Sequence, residues 1–168
     1  MTYGKINTKE RLLFFLFALL SVFNLSAQDE FPPRPEPPRL VNDFAGILTP
    51  QERERLEFKL DTFAQRTSTQ IAVVTVKSLH GYDKADYTTR LAEKWGIGQK
   101  GKNNGILVLV RPKTSSENGE VFISVGYGLE PVVPDVVARQ LIIGNEFLPA
   151  FRQNDYFTGL DRGTNVLM

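Results

Sequence analysis

The 168 residues carry 20 basic and 19 acidic side chains, a formal charge of +1, and no cysteine. Charge this close to balance, with no basic stripe, gives no sign of a nucleic-acid partner. The absence of cysteine excludes disulfides, thiolate nucleophiles, cysteine-ligated metals and a lipid-modified export signal.

At the N-terminus, Lys5, Lys9 and Arg11 precede an apolar run from Leu12 to Phe23, followed by Asn24-Leu25-Ser26-Ala27. A basic region, an apolar core and small residues at the end form the pattern of a secretory signal, here residues 1–27, cleaved near Ala27–Gln28. The run is too short for a spanning helix, which needs about 20 apolar residues. The expected product is exported, periplasmic or secreted, with no stable membrane anchor after cleavage. Residues 1–27 hold three basic residues and one acidic one, so the remainder carries −1. About 140 residues suit a single domain.

Residues 28–39 read as a proline-rich leader. Phe31 to Arg39, FPPRPEPPR, favours an extended polyproline spacer, either passive or holding the domain off the membrane during export. The domain is expected over residues 40–168. Thr49-Pro50-Gln51-Glu52 is a capping box with proline at the first helical position. Leu56, Leu60, Phe63 and Ala64 continue it as a helix to about Arg66. Ile71 to Val76 is β-branched and apolar, as in a strand buried on both faces. Asp83 caps a second helix with Tyr87, Leu91 and Trp95 along one stripe. After a glycine-rich loop, Gly96 to Gly105, come strand Ile106 to Val110, a polar loop, and strand Glu120 to Val125. Gly126 to Glu130 reads as a turn. Pro134 and Asp135 open a third helix with Val137, Leu141 and Ile142, which Pro149 interrupts, and Phe151, Tyr156, Phe157 and Leu160 form a last helical segment. Alternating helices and buried strands give an α/β fold, a three-layer α/β/α sandwich, and the hairpin makes its central sheet mixed.

Two motifs mislead. Gly96-Ile97-Gly98-Gln99-Lys100-Gly101 matches G-x-G-x-x-G, but it follows a helix and precedes a strand. A dinucleotide loop needs the reverse, so that a helix N-terminus meets the pyrophosphate. The single histidine, His80, lies in a turn with no nucleophile elbow in the sequence, and reads as solvated. The remaining chemistry is that of oxygen. Asp43, Asn103, Asn104, Glu130 and Asp135 fall at loops or helix starts near strand ends, and carboxylate, amide and carbonyl oxygens suit calcium or magnesium. Plainer roles exist for each. Asp43 can cap a turn with Asn42, and Asp135 can serve a helix dipole or leave its helix N-terminus to an anion. Asn103 and Asn104 can supply unusual backbone angles before Gly105, and Tyr127 can be core.

Five stretches in order resemble the TPM domain family, which includes thylakoid-lumen photosystem repair proteins and exported bacterial relatives. They are Val41 to Thr49, Gln70 to Val76, Lys94 to Gly98, Lys102 to Leu107, and Val125 to Glu130. The resemblance runs from about Leu40 to the end. It implies an α/β/α sandwich outside the cytoplasm and a divalent cation, calcium or magnesium, in an acidic loop cleft. Its ligands map by motif to Asp43, Asn103, Asn104, Glu130 and Asp135. Many bacterial members continue into a membrane helix and a glycine-rich tail; with the sequence read to Met168, no membrane attachment is expected. Two functions follow from the resemblance. One is an accessory or interaction module whose partner is an envelope protein. The other is a metal-dependent acid phosphatase, with Asp43 or Asp135 as base or nucleophile and Arg111 or Arg139 as the phosphate contact.

Overall fold

The computed structural model describes residues 30–99, 101–129, 131, 133 and 138–168. The expected signal, residues 1–27, and the expected ligands Glu130 and Asp135 lie outside the described residues.

The capping box forms as read. Thr49 Oγ1 accepts from the Glu52 N–H, Glu52 accepts from the Thr49 N–H, and helix α1 runs Pro50–Thr67. Strand β2 spans Gln70–Thr75, and Asp83 caps helix α2, Lys84–Trp95, by accepting from the Ala85 N–H. Strands β3, Gly105–Arg111, and β4, Glu120–Val125, form the antiparallel hairpin. The sequence reading missed β1, Val41–Asp43, which is three residues long and too short to show a period. Its first N–H groups are covered by α1, where the Glu57 carboxylate accepts from Leu40 and Val41 at 2.9 and 2.7 Å.

The sheet order is β1-β2-β3-β4, with β1, β2 and β3 parallel and β4 antiparallel. One face buries Ile71, Val73, Ile106, Val108 and Ile123 against Leu56 and Leu60 of α1 and against the C-terminal helices. The other buries Ala72, Val74, Leu107 and Leu109 against Tyr87, Leu91 and Trp95 of α2. Alternate residues of β2 and β3 therefore serve opposite layers, which is why both strands read as continuous apolar runs. Each buried Val, Leu or Ile among them contributes about 1.5–3 kcal/mol on full burial.

The described part of the C-terminal region begins with a π-helix, Ala138–Phe147. Pro149 does not end the helical path. It sits in the first turn of a short helix α3, Leu148–Arg152, where proline's missing N–H is no loss. Helix α4, Tyr156–Leu167, follows, capped by Asp155. Gly159 and Gly163 of α4 lie against the rings of Phe151 and Phe147, where a Cβ would come within 2.5 and 2.2 Å. Lys59 of α1 reaches Asp161 of α4 at 2.6 Å and ties the two helices together.

Phe31–Met168 form one compact unit. The leader is accordingly not a free spacer along its whole length. Phe31 packs against Tyr82 and Tyr87, with centroids 5.6 and 4.8 Å apart, and the Pro32 carbonyl accepts from Trp95 Nε1 at 2.9 Å.

Candidate functional site

The three expected ligands that are described, Asp43, Asn103 and Asn104, do not converge on one point. Asp43 pairs with Thr75 at the carboxyl end of β2, while Gly105, next to Asn104, pairs with Gln70 at its amino end. Five residues of strand separate the two levels, about 17 Å at 3.3 Å per residue. A single cation cannot be held by Asp43 and by the asparagines together.

Asp43 closes its own loop. Its Oδ1 accepts from the Gly46 and Ile47 N–H groups at 3.0 and 3.1 Å and from the Thr75 hydroxyl, and its Oδ2 accepts from the Leu48 N–H at 2.9 Å. Both carboxylate oxygens are occupied by protein donors. The turn role is the one observed, with Thr75 rather than Asn42 as the side-chain partner. The Asn42 side chain instead donates to the Arg39 carbonyl. Asn104 is buried, and its amide is satisfied at both ends: Oδ1 accepts from the Gln99 N–H and Nδ2 donates to the Ser68 carbonyl, both at 2.8 Å.

Asn103 differs. It is exposed, has φ +48°, and its side chain makes no hydrogen bond among the described residues. Its carbonyl accepts from the Gly128 N–H at 3.1 Å, and the Gly105 carbonyl from Gly126 at 2.8 Å. These bonds extend the β3–β4 ladder past the strand ends and bring the Tyr127 turn beside Asn103. Glycine is required there by space, because a Cβ on Gly126 would lie 2.2 Å from the Asn103 oxygen. Tyr127 is 80% exposed and is not core.

A cleft of ≈720 Å³ opens at this end, between α2, the glycine-rich loop, β4 and the turn. Thr89 and Glu93 form its helical wall, Ile97, Gly98 and Asn103 its loop side, and Ser124 to Tyr127 the opposite side. Glu93 is the one charged side chain among the described lining residues, which include neither histidine nor a basic residue. Groups of three or more His, Asp or Glu residues that could hold a metal do not occur among the described residues.

Several described donors of the loop that mimics a dinucleotide motif are already in use. Gly98 N–H goes to Gln70 Oε1, Gln99 N–H to Asn104 Oδ1, and Lys102 and Asn103 N–H groups to the Gln99 carbonyl. These N–H groups are not available to cradle a phosphate, which agrees with the context argument from sequence. Arg111 is also engaged, with Glu117 at 2.6 Å and the Asn118 carbonyl at 2.8 Å, and it sits at the far end of β3 from the cleft. The Arg139 side chain lies outside what is described. His80 is exposed, with φ +51° in its turn.

Thr75, Thr89, Glu93 and the Phe31 contact escaped the sequence reading. Thr75 alone had a signal, as the single polar residue within an apolar strand. The others depend on which flank of α2 faces which neighbour.

A family model described as the TPM domain matches residues 41–168. The chain is similar to the solution NMR structure of the N-terminal domain of a protein from P. gingivalis, with TM-score 0.66 and 32% sequence identity, covering 77% of this chain and 79% of that one. It is also similar to the N-terminal domain of a protein from Corynebacterium glutamicum, with TM-score 0.56 and 17% identity, covering 76% of this chain and 79% of that one. At that identity the second likeness speaks for the fold alone. No curated protein matches the chain.

Proposed function

Starting from a chain that belongs to the TPM domain family, we propose an exported accessory module that binds an envelope protein through the cleft beside Tyr127. The observation that carries this reading is convergence. Three stretches that mark the family resemblance, around Gly96–Gly98, Asn103–Gly105 and Val125–Tyr127, line one cleft although they are scattered along the chain. The lining favours binding over phosphoryl transfer. It offers hydroxyls from Thr89, Ser124 and Tyr127 and one carboxylate from Glu93. A phosphate dianion calls for cationic donors or a metal clamp, and with no Lys or Arg among the described lining residues phosphoryl transfer here would depend wholly on the bound cation.

Calcium or magnesium is the cofactor of this reading. The donor chemistry is suitable, since both are hard cations that take amide, carbonyl and carboxylate oxygens. Of the expected ligands, Asn103 is at the cleft with its amide uncommitted among the described residues, and Glu130 follows the same turn in sequence. Asp43 and Asn104 have no part in it, because their polar atoms serve the protein's own backbone.

Calcium and magnesium titration calorimetry on the natively processed chain, with phosphatase turnover assayed on the same sample, tests the reading. The expected result is cation binding that Asn103→Ala weakens about tenfold, a loss of about 1.4 kcal/mol, without turnover that tracks occupancy. Turnover rising with metal occupancy would make the protein a metal-dependent acid phosphatase instead. Unchanged binding in Asn103→Ala would remove the ligand, and no cation binding at all would remove the cofactor.

A further inference from the structure

The sequence contains two Asn-Gly pairs, Asn104-Gly105 and Asn118-Gly119, and the fold treats them oppositely. In such a pair the side-chain amide is open to attack by the next backbone nitrogen, because glycine has no side chain to shield that nitrogen or to restrict the chain around it. Asn104 is buried, and both ends of its amide are held, by the Gln99 N–H and the Ser68 carbonyl at 2.8 Å. Gly105 is buried within β3. Asn118 and Gly119 are instead exposed, in the loop between β3 and β4. Neither the Asn118 side-chain amide nor the Gly119 N–H makes a hydrogen bond among the described residues.

The loop also supplies a charge where this chemistry needs one. Arg111 Nη2 donates to the Asn118 carbonyl oxygen at 2.8 Å. That oxygen and the Gly119 nitrogen belong to the same peptide group. When the nitrogen loses its proton, resonance carries the negative charge onto the oxygen, and a guanidinium already in place there stabilises it. The Arg111 side chain is 11% exposed, which keeps water from replacing this contact. Glu117 at 2.6 Å and Glu120 at 4.0 Å orient the guanidinium and offset part of its charge.

We propose that Asn118-Gly119 is a self-modification site, promoted by Arg111, at which the folded protein converts Asn118 to aspartate and isoaspartate. The Gly119 nitrogen passes its proton to solvent and bonds to Asn118 Cγ. The Cγ–Nδ2 bond breaks, and ammonia leaves after taking a proton from solvent. Water then opens the five-membered imide at either of its carbonyls, giving aspartate or isoaspartate. Either product adds a carboxylate beside Arg111, and the isoaspartyl form also lengthens the backbone path of the loop by one carbon. The site lies beyond the carboxyl end of β3, far from the cleft, so it does not depend on what the cleft binds.

The test is incubation of the natively processed protein at mildly alkaline pH, followed by digestion. Peptide mass spectrometry reads the exchange of NH2 for OH at each asparagine, and isoaspartyl methyltransferase labels the isoaspartyl product. Asn118 should convert at least about tenfold faster than Asn104, and Asn118→Gln should abolish conversion at that position. Arg111→Gln should slow conversion of Asn118 about tenfold, even though it loosens the loop. Arg111→Lys keeps a positive charge but not the fork that reaches Glu117 and the Asn118 carbonyl together, and should fall in between. It is the measurement to rely on where circular dichroism shows the glutamine variant unfolded. In urea above the unfolding midpoint, the rates at Asn118 and Asn104 should come within about threefold of each other. The proposal is overturned if Asn118 remains an amide in the folded parent, or if Asn104 converts as fast. It is also overturned if a folded Arg111 variant converts as fast as the parent or faster, or if the preference for Asn118 persists in urea.

Discussion

At the scale of single residues, polar atoms are spent on closing loops. Asp43 accepts three backbone N–H groups and the Thr75 hydroxyl. From sequence, a residue in a loop is expected to be dispensable for the fold. The hydrogen bonds say otherwise, because removing the carboxylate strands several donors in a part-buried turn. Asp43→Ala should cost about 3 kcal/mol in urea denaturation, and Asp43→Asn, which keeps one acceptor oxygen, about half of that. Parent-like midpoints for both would mean that the loop does not depend on this residue. Asp155 is a simpler case at the start of α4. The Thr158 hydroxyl, and then its N–H, hold the Asp155 carboxyl below the ordinary carboxylate range. A group whose folded value is lowered stabilises above its ordinary range, and that contribution disappears as pH falls through the folded value. Asp155→Ala should melt below the parent at pH 7, with the difference closing as pH falls below the ordinary carboxylate range. A gap that persists to lower pH would assign the loss to packing rather than to charge.

At the scale of elements, local chemistry was legible where one or two neighbouring residues decide the outcome. The Thr49–Glu52 box, the Asp83 cap and the paired apolar strands could be read because capping and burial on both faces leave short-range marks. Strand β1 left no mark, because three residues cannot show a period and its pairing is wholly with β2. Pro149 was legible as a break but not as the start of a new turn, which depends on the preceding π-helix. The glycine-rich loop shows the same division. Its composition suggests a ligand cradle, but its role is close backbone packing: a Cβ on Gly105 would sit 2.2 Å from the Ile97 carbonyl oxygen. Gly105→Ala should therefore destabilise by about 2–4 kcal/mol and alter the cleft with it. Thermal melting checks this, and a parent-like curve would show that the loop yields without cost.

At the scale of the whole molecule, the central strands carry the fold and the periphery carries the contacts. Val73 is fully buried between β1 and β3, so Val73→Asp places an unpaired charge where water cannot reach it and should abolish cooperative unfolding by circular dichroism. Native-state hydrogen exchange should rank β2 and β3 amides slowest, opening only with global unfolding, and the residues after Pro33 fastest. Comparable rates in the two regions would contradict this layering.

The sequence alone determined the fold class, most element positions and the family, because those rest on short-range caps, on apolar periodicity and on the order of motifs along the chain. It identified residues with the right chemistry for a cation but could not say which of them meet. Parallel pairing of β1, β2 and β3 places Asp43 at one end of the sheet and Asn103 and Asn104 at the other, while the antiparallel return of β4 brings the Tyr127 turn beside Asn103. Docking of Phe31 and Pro32 on α2 was equally hidden, since prolines advertise an extended chain but not the aromatic surface that receives it. Strand direction and helix flank are set by contacts between segments far apart in sequence, and so only the tertiary structure decided which side chains form a site.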